Sequence, residues 1–210
     1  MLKAIVLALL ASAIMACGVV FEGAAQTQAA LDVVHVAQRT SSIQLQERML
    51  AGAAARLQKS WAQPTRWNAS AAEALSAIYA MRANAAGGDE AIYAESMLWA
   101  MRATQIGPTQ PNAWARLATF SIMDLAHAPC AAQTCLERSW IAAPMLDAES
   151  DCARLRIAHA GGLQESLISE RIDWYLRSGV GADQAAACLA FVPREDLFQM
   201  MLRSRSSATP

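Results

Sequence analysis

From residue 43 onward the large apolar residues return every three or four positions. Leu45, Met49, Leu50 and Leu57 fall at helix-face spacing, and the run stops near Trp61 and Pro64. The same rhythm predicts helices over residues 70–84, 90–106, 112–126, 131–142, 148–160, 164–177, 183–191 and 195–203. Asn68 or Ser70 can cap the first of these, and the triplet Asn68-Ala69-Ser70 reads better as that cap than as a glycan acceptor. Proline and glycine separate the runs, at Gly87-Gly88, Pro108, Pro111, Pro129, Pro144, Gly161-Gly162, Gly179, Gly181 and Pro193. No run sustains period-two alternation, and β-branched residues thin out beyond position 45. The pattern predicts an all-α fold. Short turns between helices of similar length make sequential helices antiparallel, so the units are helical hairpins.

Residues 4–21, AIVLALLASAIMACGVVF, break the rhythm: they carry no charge and follow Lys3. As a helix this run rises about 27 Å, close to the roughly 30 Å hydrocarbon core of a bilayer. Three readings follow. The run is a retained anchor, or a signal cleaved after Ala25 where Gly23 and Ala25 are small, or a lipobox-like stretch that ends on a lipid-modified Cys17. Each sends the body out of the cytoplasm with the N-terminus inside, which places the protein at the cell membrane or in the periplasm. A buried core helix is the plain alternative. Ala4, Ala8, Ser12 and Ala16 form a small-residue stripe of the kind that lets membrane helices approach, so a homo-oligomer is an allowed assembly. The organisation expected is an anchor or signal over 1–25, a spacer over 26–42, a helical body from 43, and a flexible tail over 205–210.

Within the body, Ser96, Ala100, Ala103 and Pro108 precede Trp114, Leu117, Ala118 and Ser121. This spacing resembles the tetratricopeptide repeat, whose helices read W-x2-L-G-x2-Y and A-x3-F before a closing proline. Ala100 stands where the repeat has a large aromatic, and Ser121 where it has a tyrosine. Pro144 echoes Pro108 at an interval of 36 residues, with Ala132, Leu136 and Ser139 before it. Trp61, Pro64 and Leu75 parallel Trp140, Pro144 and Leu155. The resemblance implies a short α-solenoid of degenerate repeats over 43–161, closed by capping helices over 162–204. It also implies a scaffold whose groove on the Trp114 helix is lined by Asn112, Ala115, Thr119, Ile122 and Met123. Ala115 and Thr119 do not suit a clamp for a terminal carboxylate, whereas an apolar groove bearing a methionine suits a partner helix. The implied partner is a protein, in a membrane complex of envelope assembly or surface-polysaccharide export. A generic alanine-rich helical bundle is the alternative fold.

Charge and chemistry narrow this only a little. A formal net charge of −1 supplies no field for nucleic acid. No HExxH, GxSxG, P-loop or GxGxxG occurs, and His35, His127 and His159 lie far apart. An envelope enzyme with a helical active site, or a structural oligomer, are the competing classes; no cofactor and no metal is expected. His127, Cys130, Cys135 and His159 match no compact zinc spacing. In an exported chain the four cysteines of the body suggest disulfides. Cys130 and Cys135 would close a small loop at a helix start, and Cys152 and Cys188 would tie the last hairpin to the C-terminal helices; buried free thiols are the alternative. Glu165, Glu170, Arg171, Asp173 and Arg177 read as a solvated, salt-bridged face. Trp61, Trp99, Trp114 and Trp140 fall on faces predicted to be buried, and Trp67 is expected to be partly exposed.

Overall fold

The computed structural model describes residues 2–61, 68–125, 127–163, 165–177, 180–193 and 195–196. Among these there are nine α-helices and no strand, so the chain is all-α. It divides into two compact units, Met1–Pro108 and Thr109–Pro210.

The first unit holds α1 (Leu2–Gln38), α2 (Ile43–Trp61), α3 (Ala69–Ala85) and α4 (Glu90–Ile106). Successive helices pack on each other, and α1 also reaches α3. Leu50, Ala53, Ala54 and Leu57 bury one face of α2, while Ser96, Met97, Ala100, Ala103 and Thr104 bury one face of α4. Leu45 is half exposed, because it sits in the first turn of α2, ahead of the packed face. Trp99 is buried, meets Trp61 edge-on at 5.2 Å and carries the Arg102 guanidinium 4.5 Å above its ring. Pro64 and Trp67 lie outside the described residues.

Residues 26–42 are not a spacer along most of their length. α1 continues unbroken to Gln38, and Gly23, Thr27, Ala30, Val34 and Ala37 are buried along it. Their alternating steps of four and three residues form a narrow seam on one side of the helix. Thr27 Oγ1 donates to the Gly23 carbonyl at 2.8 Å and accepts from Asn68 Nδ2 at 3.2 Å, which links α1 to the N-cap of α3. Small side chains let α1 lie close to its neighbours, and they carry little hydrophobic signal in sequence. Most side chains of 4–21 lie outside the described residues. Among the described residues no helix is long and apolar enough to cross a membrane. Met15 and Phe21, which are described, are 68% and 76% exposed.

The second unit holds α5 (Pro111–Ile122), α6 (Ala132–Ala142), α7 (Ala148–Ala160), α8 (Glu165–Arg177) and α9 (Ala182–Cys188). Here α5 pairs with α6 and α7 with α8, while α7 also meets α5, α6 and α9. Trp114, Leu117, Ala118 and Phe120 of α5 face Cys135, Leu136, Ser139 and Trp140 of α6 within the core. Ser139 Oγ donates to the Pro111 carbonyl at 2.7 Å. Beyond residue 196, the helix expected over 195–203 and the tail over 205–210 lie outside the described residues.

The two ends of a hairpin are built differently, and the same pair of devices recurs. α3, α5 and α7 each close with a left-handed residue, Gly87 (φ 76°), Asp124 (φ 54°) and Gly162 (φ 62°). In each case the next amide bonds back five residues: Gly88 to Ala83, Leu125 to Phe120 and Leu163 to Ala158, at 2.8–3.1 Å. This is the Schellman pattern, which satisfies carbonyls a helix end leaves open. The Asp124 turn stops α5 at Ile122 instead of residue 126. By contrast, α4 and α6 end on extended residues, Gly107 (φ −133°) and Ala143 (φ −148°), each followed by a proline. A proline pushes the residue before it out of the helical region, so Pro108 and Pro144 set those exits.

Candidate functional site

The strongest concentration of unusual side chains lies where the end of α6, the linker 143–147, α7 and α8 meet. Trp140 belongs to the buried face of α6 and Leu155 to that of α7. On α8, Arg171, Trp174 and Tyr175 stand at i, i+3 and i+4, which puts them on one side of the helix. Together with Pro144, Met145 and Asp151 they line a cleft of about 20 Å³. That is room for one water molecule or one small polar group.

Arg154 fastens the cleft from beneath. Its side chain is 1% exposed; Nη1 donates to the Ala143 carbonyl at 2.7 Å and the Ser139 carbonyl at 3.3 Å, and Nη2 stands 2.8 Å from Asp151 Oδ1. Asp151 Oδ2 accepts from the Leu146 amide at 3.1 Å. One buried ion pair therefore holds the last turn of α6, the linker and the second turn of α7. Burial lowers the pKa of the Arg154 guanidinium, with the nearby Arg171 charge acting in the same direction and Asp151 against it. An arginine side chain nonetheless stays charged in proteins. Tyr175 is 3% exposed, and burial first, then the Asp151 charge, raise its phenol above the ordinary value.

Arg171 is arranged otherwise. Its guanidinium carbon sits 5.1 Å from the Trp140 ring centre and 5.8 Å from that of Trp174. Its Nε is buried with no hydrogen-bond partner. The ion pairs among the described residues are Arg82–Glu47, Arg154–Asp151 and Arg177–Asp173, so none engages Arg171. Trp174 is 39% exposed and Met145 49%. The arrangement offers a fixed cation, two indole faces and an apolar rim.

The groove expected on α5 is divided. Asn112 and Thr119 are half-buried and Met123 is exposed, while Ala115 is buried and Ile122 extends towards Gly161 at the end of α7. Thr119 Oγ1 donates back to the Ala115 carbonyl at 3.2 Å. Asn112, Arg116, Thr119 and Met123 form the least covered stripe of the helix. The body cysteines stand in two pairs at disulfide distance, Cys130 with Cys135 (Cα–Cα 5.8 Å) and Cys152 with Cys188 (Cα–Cα 5.6 Å). Cys17 is free and exposed. His159 stacks on Phe191 at 4.4 Å. It lies on the α7 face that carries Cys152 and Arg156, whose Nη2 donates to the Ala187 carbonyl at 2.7 Å. That face clamps the end of α9 through three successive turns.

Trp140 is buried as its helix face predicts, whereas Arg171 does not belong to the solvated face expected for it, and the buried Arg154 carries no sequence signal of its own. The available signal was Arg171-x-x-Trp174-Tyr175 on one helix, since an arginine beside two aromatics at that spacing has a ring to lie on.

Compared with known protein families, curated proteins and solved structures, the chain matches none. Fold and site define an all-α protein of helical hairpins with an arginine–tryptophan cleft on its second unit.

Proposed function

We propose that the protein is a membrane-tethered scaffold of tetratricopeptide-like hairpins that holds a protein partner in the cell envelope. The carrying observation is α1. A single helix joins the uncharged run 4–21 to a seam beginning at Gly23 that packs into the first unit. Met15 and Phe21 are mostly exposed, and lipid is a cover that their side chains suit. The body then follows the anchor directly, so its orientation to the bilayer is fixed by helix geometry.

The recurrence of Schellman exits and proline exits, and the contacts of α1 with α3 and of α5 with α7, support a repeated hairpin architecture. The cleft favours binding over catalysis: it is too small to enclose a substrate, and its tryptophans, arginine and tyrosine are the types that dominate protein interfaces.

The test combines fractionation with topology. The full chain should stay in carbonate-washed membranes, and deletion of 4–21 should release it. An export-dependent reporter fused at the C-terminus should be active. A full chain recovered as soluble protein, or a reporter active only in the cytoplasm, would overturn the reading.

A further inference from the structure

We propose that the Trp140–Arg171–Trp174 cleft recognises an acidic side chain, Asp or Glu, flanked by bulky apolar residues on a partner polypeptide. The inference rests on the reading of this protein as a partner-binding scaffold and names the chemistry of the partner.

Arg171 carries the argument. Two indole rings hold its guanidinium in place, so the planar fork is oriented before any ligand arrives. A cation held this way commonly meets a carboxylate in the same fold, and among the described residues Arg171 does not. Its buried Nε is likewise left without an acceptor, and an unmade hydrogen bond of that kind costs free energy that a ligand can recover. Asp151 lines the same cleft but does not neutralise Arg171. Its Oδ1 faces Arg154 Nη2 and its Oδ2 takes the Leu146 amide. Asp151 and, less strongly, Asp147 act on Arg154, and no carboxylate among the described residues pairs with Arg171. Farther along α8, Asp173 is engaged by Arg177 at 2.6 Å.

Size and rim select the form in which the carboxylate comes. About 20 Å³ admits one carboxylate group and no whole metabolite. Met145 of the linker and Trp174 of α8 both line the cleft and are exposed, so apolar surface flanks the cation on two elements. A chain crossing the cleft can set an apolar residue on each side of its acidic one. A free chain end would use only one side.

The experiment uses the full chain in detergent micelles with its tryptophan indoles labelled with ¹⁵N, the Trp140 and Trp174 signals being assigned from Trp140→Phe and Trp174→Phe. The probes are acetyl-Leu-Glu-Leu-amide, its Gln counterpart, and acetyl-Leu-Gln-Leu with a free C-terminus. The Glu peptide should shift both indole signals saturably, should weaken at high salt, and should bind at least tenfold more tightly than the Gln peptide. Arg171→Gln should remove that preference while the Trp61 and Trp99 signals stay in place. Equal binding of the Glu and Gln amides overturns the proposal, as does no saturable shift at Trp140 and Trp174. Stronger binding of the free-acid peptide also overturns it, because the carboxylate read would then be a chain end. The Glu–Gln comparison on the unaltered chain decides the matter even if Arg171→Gln fails to fold. None of these outcomes bears on the fractionation result, so failure here and failure of the tether reading remain separate.

Discussion

Ser76 and Ser96 donate their hydroxyls to each other's backbone carbonyls across the α3–α4 hairpin, at 2.8 Å from Ser76 to Ser96 and 2.6 Å in return. Both residues are fully buried, and the two hydroxyl oxygens stand 3.3 Å apart. Such reciprocity needs small side chains where the helices cross, which is why a small residue is required at Ser96. Ser76→Ala and Ser96→Ala should each cost about 1 kcal/mol, the net worth of an ordinary hydrogen bond. Ser96→Leu should cost about 1–3 kcal/mol through overpacking. Urea midpoints of the full chain in detergent will separate the two effects. If Leu were tolerated as well as Ala, the close crossing would be disproved.

The three left-handed helix exits differ in their residue, and stability should follow. No atom lies within 4 Å of a Cβ built on Gly87 or Gly162, so alanine there meets only a backbone penalty. Gly162→Ala should cost about 1 kcal/mol. Asp124 already bears such strain, so Asp124→Gly should stabilise by about 0.5 kcal/mol, after the greater freedom of glycine in the unfolded chain offsets part of the gain. Thermal melts of the two variants should therefore move in opposite directions.

The helices were legible in the sequence because their boundaries rest on local chemistry. Asn68 accepts the Ala71 amide at 3.2 Å at the start of α3, and Pro108 and Pro144 end α4 and α6, as punctuation predicts. Two features were not legible. The seam of α1 is made of Gly23, Thr27, Ala30, Val34 and Ala37, whose small size suits close packing but hides amphipathic contrast. The cleft depends on Trp140 and Arg171, which lie on different helices and meet only through the packing of α6, α7 and α8. Arg177 does pair with Asp173 on the exposed side of α8, as helical spacing suggested, whereas the second ring under Arg171, Trp140, comes from another helix and no local pattern can supply it.

Asp147 should make stability fall in acid. It is the N-cap of α7: Oδ1 accepts the amides of Glu149 and Ser150 at 3.1 and 2.9 Å, and Oδ2 accepts the Ser150 hydroxyl at 2.7 Å. Burial pushes its pKa up, but the hydrogen bonds from Ser150 and Glu149 outweigh that, and the net value lies below the ordinary one. A depressed folded-state pKa stabilises above the unfolded value, about 3.9, and the contribution disappears as pH falls through the lower folded value. Asp147→Ala should cost about 0.5–2 kcal/mol at neutral pH. The gap between variant and parent should narrow as pH falls below the unfolded value and through the lower folded one, as followed by urea melts across pH.

The two cysteine pairs should contribute unequally. In the chain-entropy view a bridge stabilises by restricting the unfolded chain, and more so for longer loops. The Cys152–Cys188 separation is 36 residues and the Cys130–Cys135 separation is 5. Opening the first should cost about 4 kcal/mol and opening the second about 2 kcal/mol. Mass mapping of protein from the oxidising compartment, without reduction, should find all four thiols blocked and Cys17 alkylated. Cys188→Ser should then lower the melting temperature more than Cys130→Ser. Freely alkylated Cys130 and Cys135 would rule out that bridge.

Residues 26–38 should behave as folded core, and substitutions on two sides of one helix can show it. Ala30 and Ala37 are 4% and 0% exposed on the seam of α1, whereas Ala29 is exposed on the same helix. Leucine has a higher bulk than alanine but nearly equal helix propensity, so the comparison isolates packing. Ala30→Leu and Ala37→Leu should each destabilise by about 1–3 kcal/mol, because the added carbons force α1 away from α2 and α3. Ala29→Leu should change stability by less than about 0.5 kcal/mol. Thr27→Val supplies an independent check: it keeps the volume but removes the hydroxyl that joins Gly23 to Asn68, and should cost about 1 kcal/mol. A flexible spacer predicts that all four substitutions are silent. Amide hydrogen exchange gives the same distinction without mutation, since helix amides on the packed seam should exchange orders of magnitude more slowly than those of an unpacked linker.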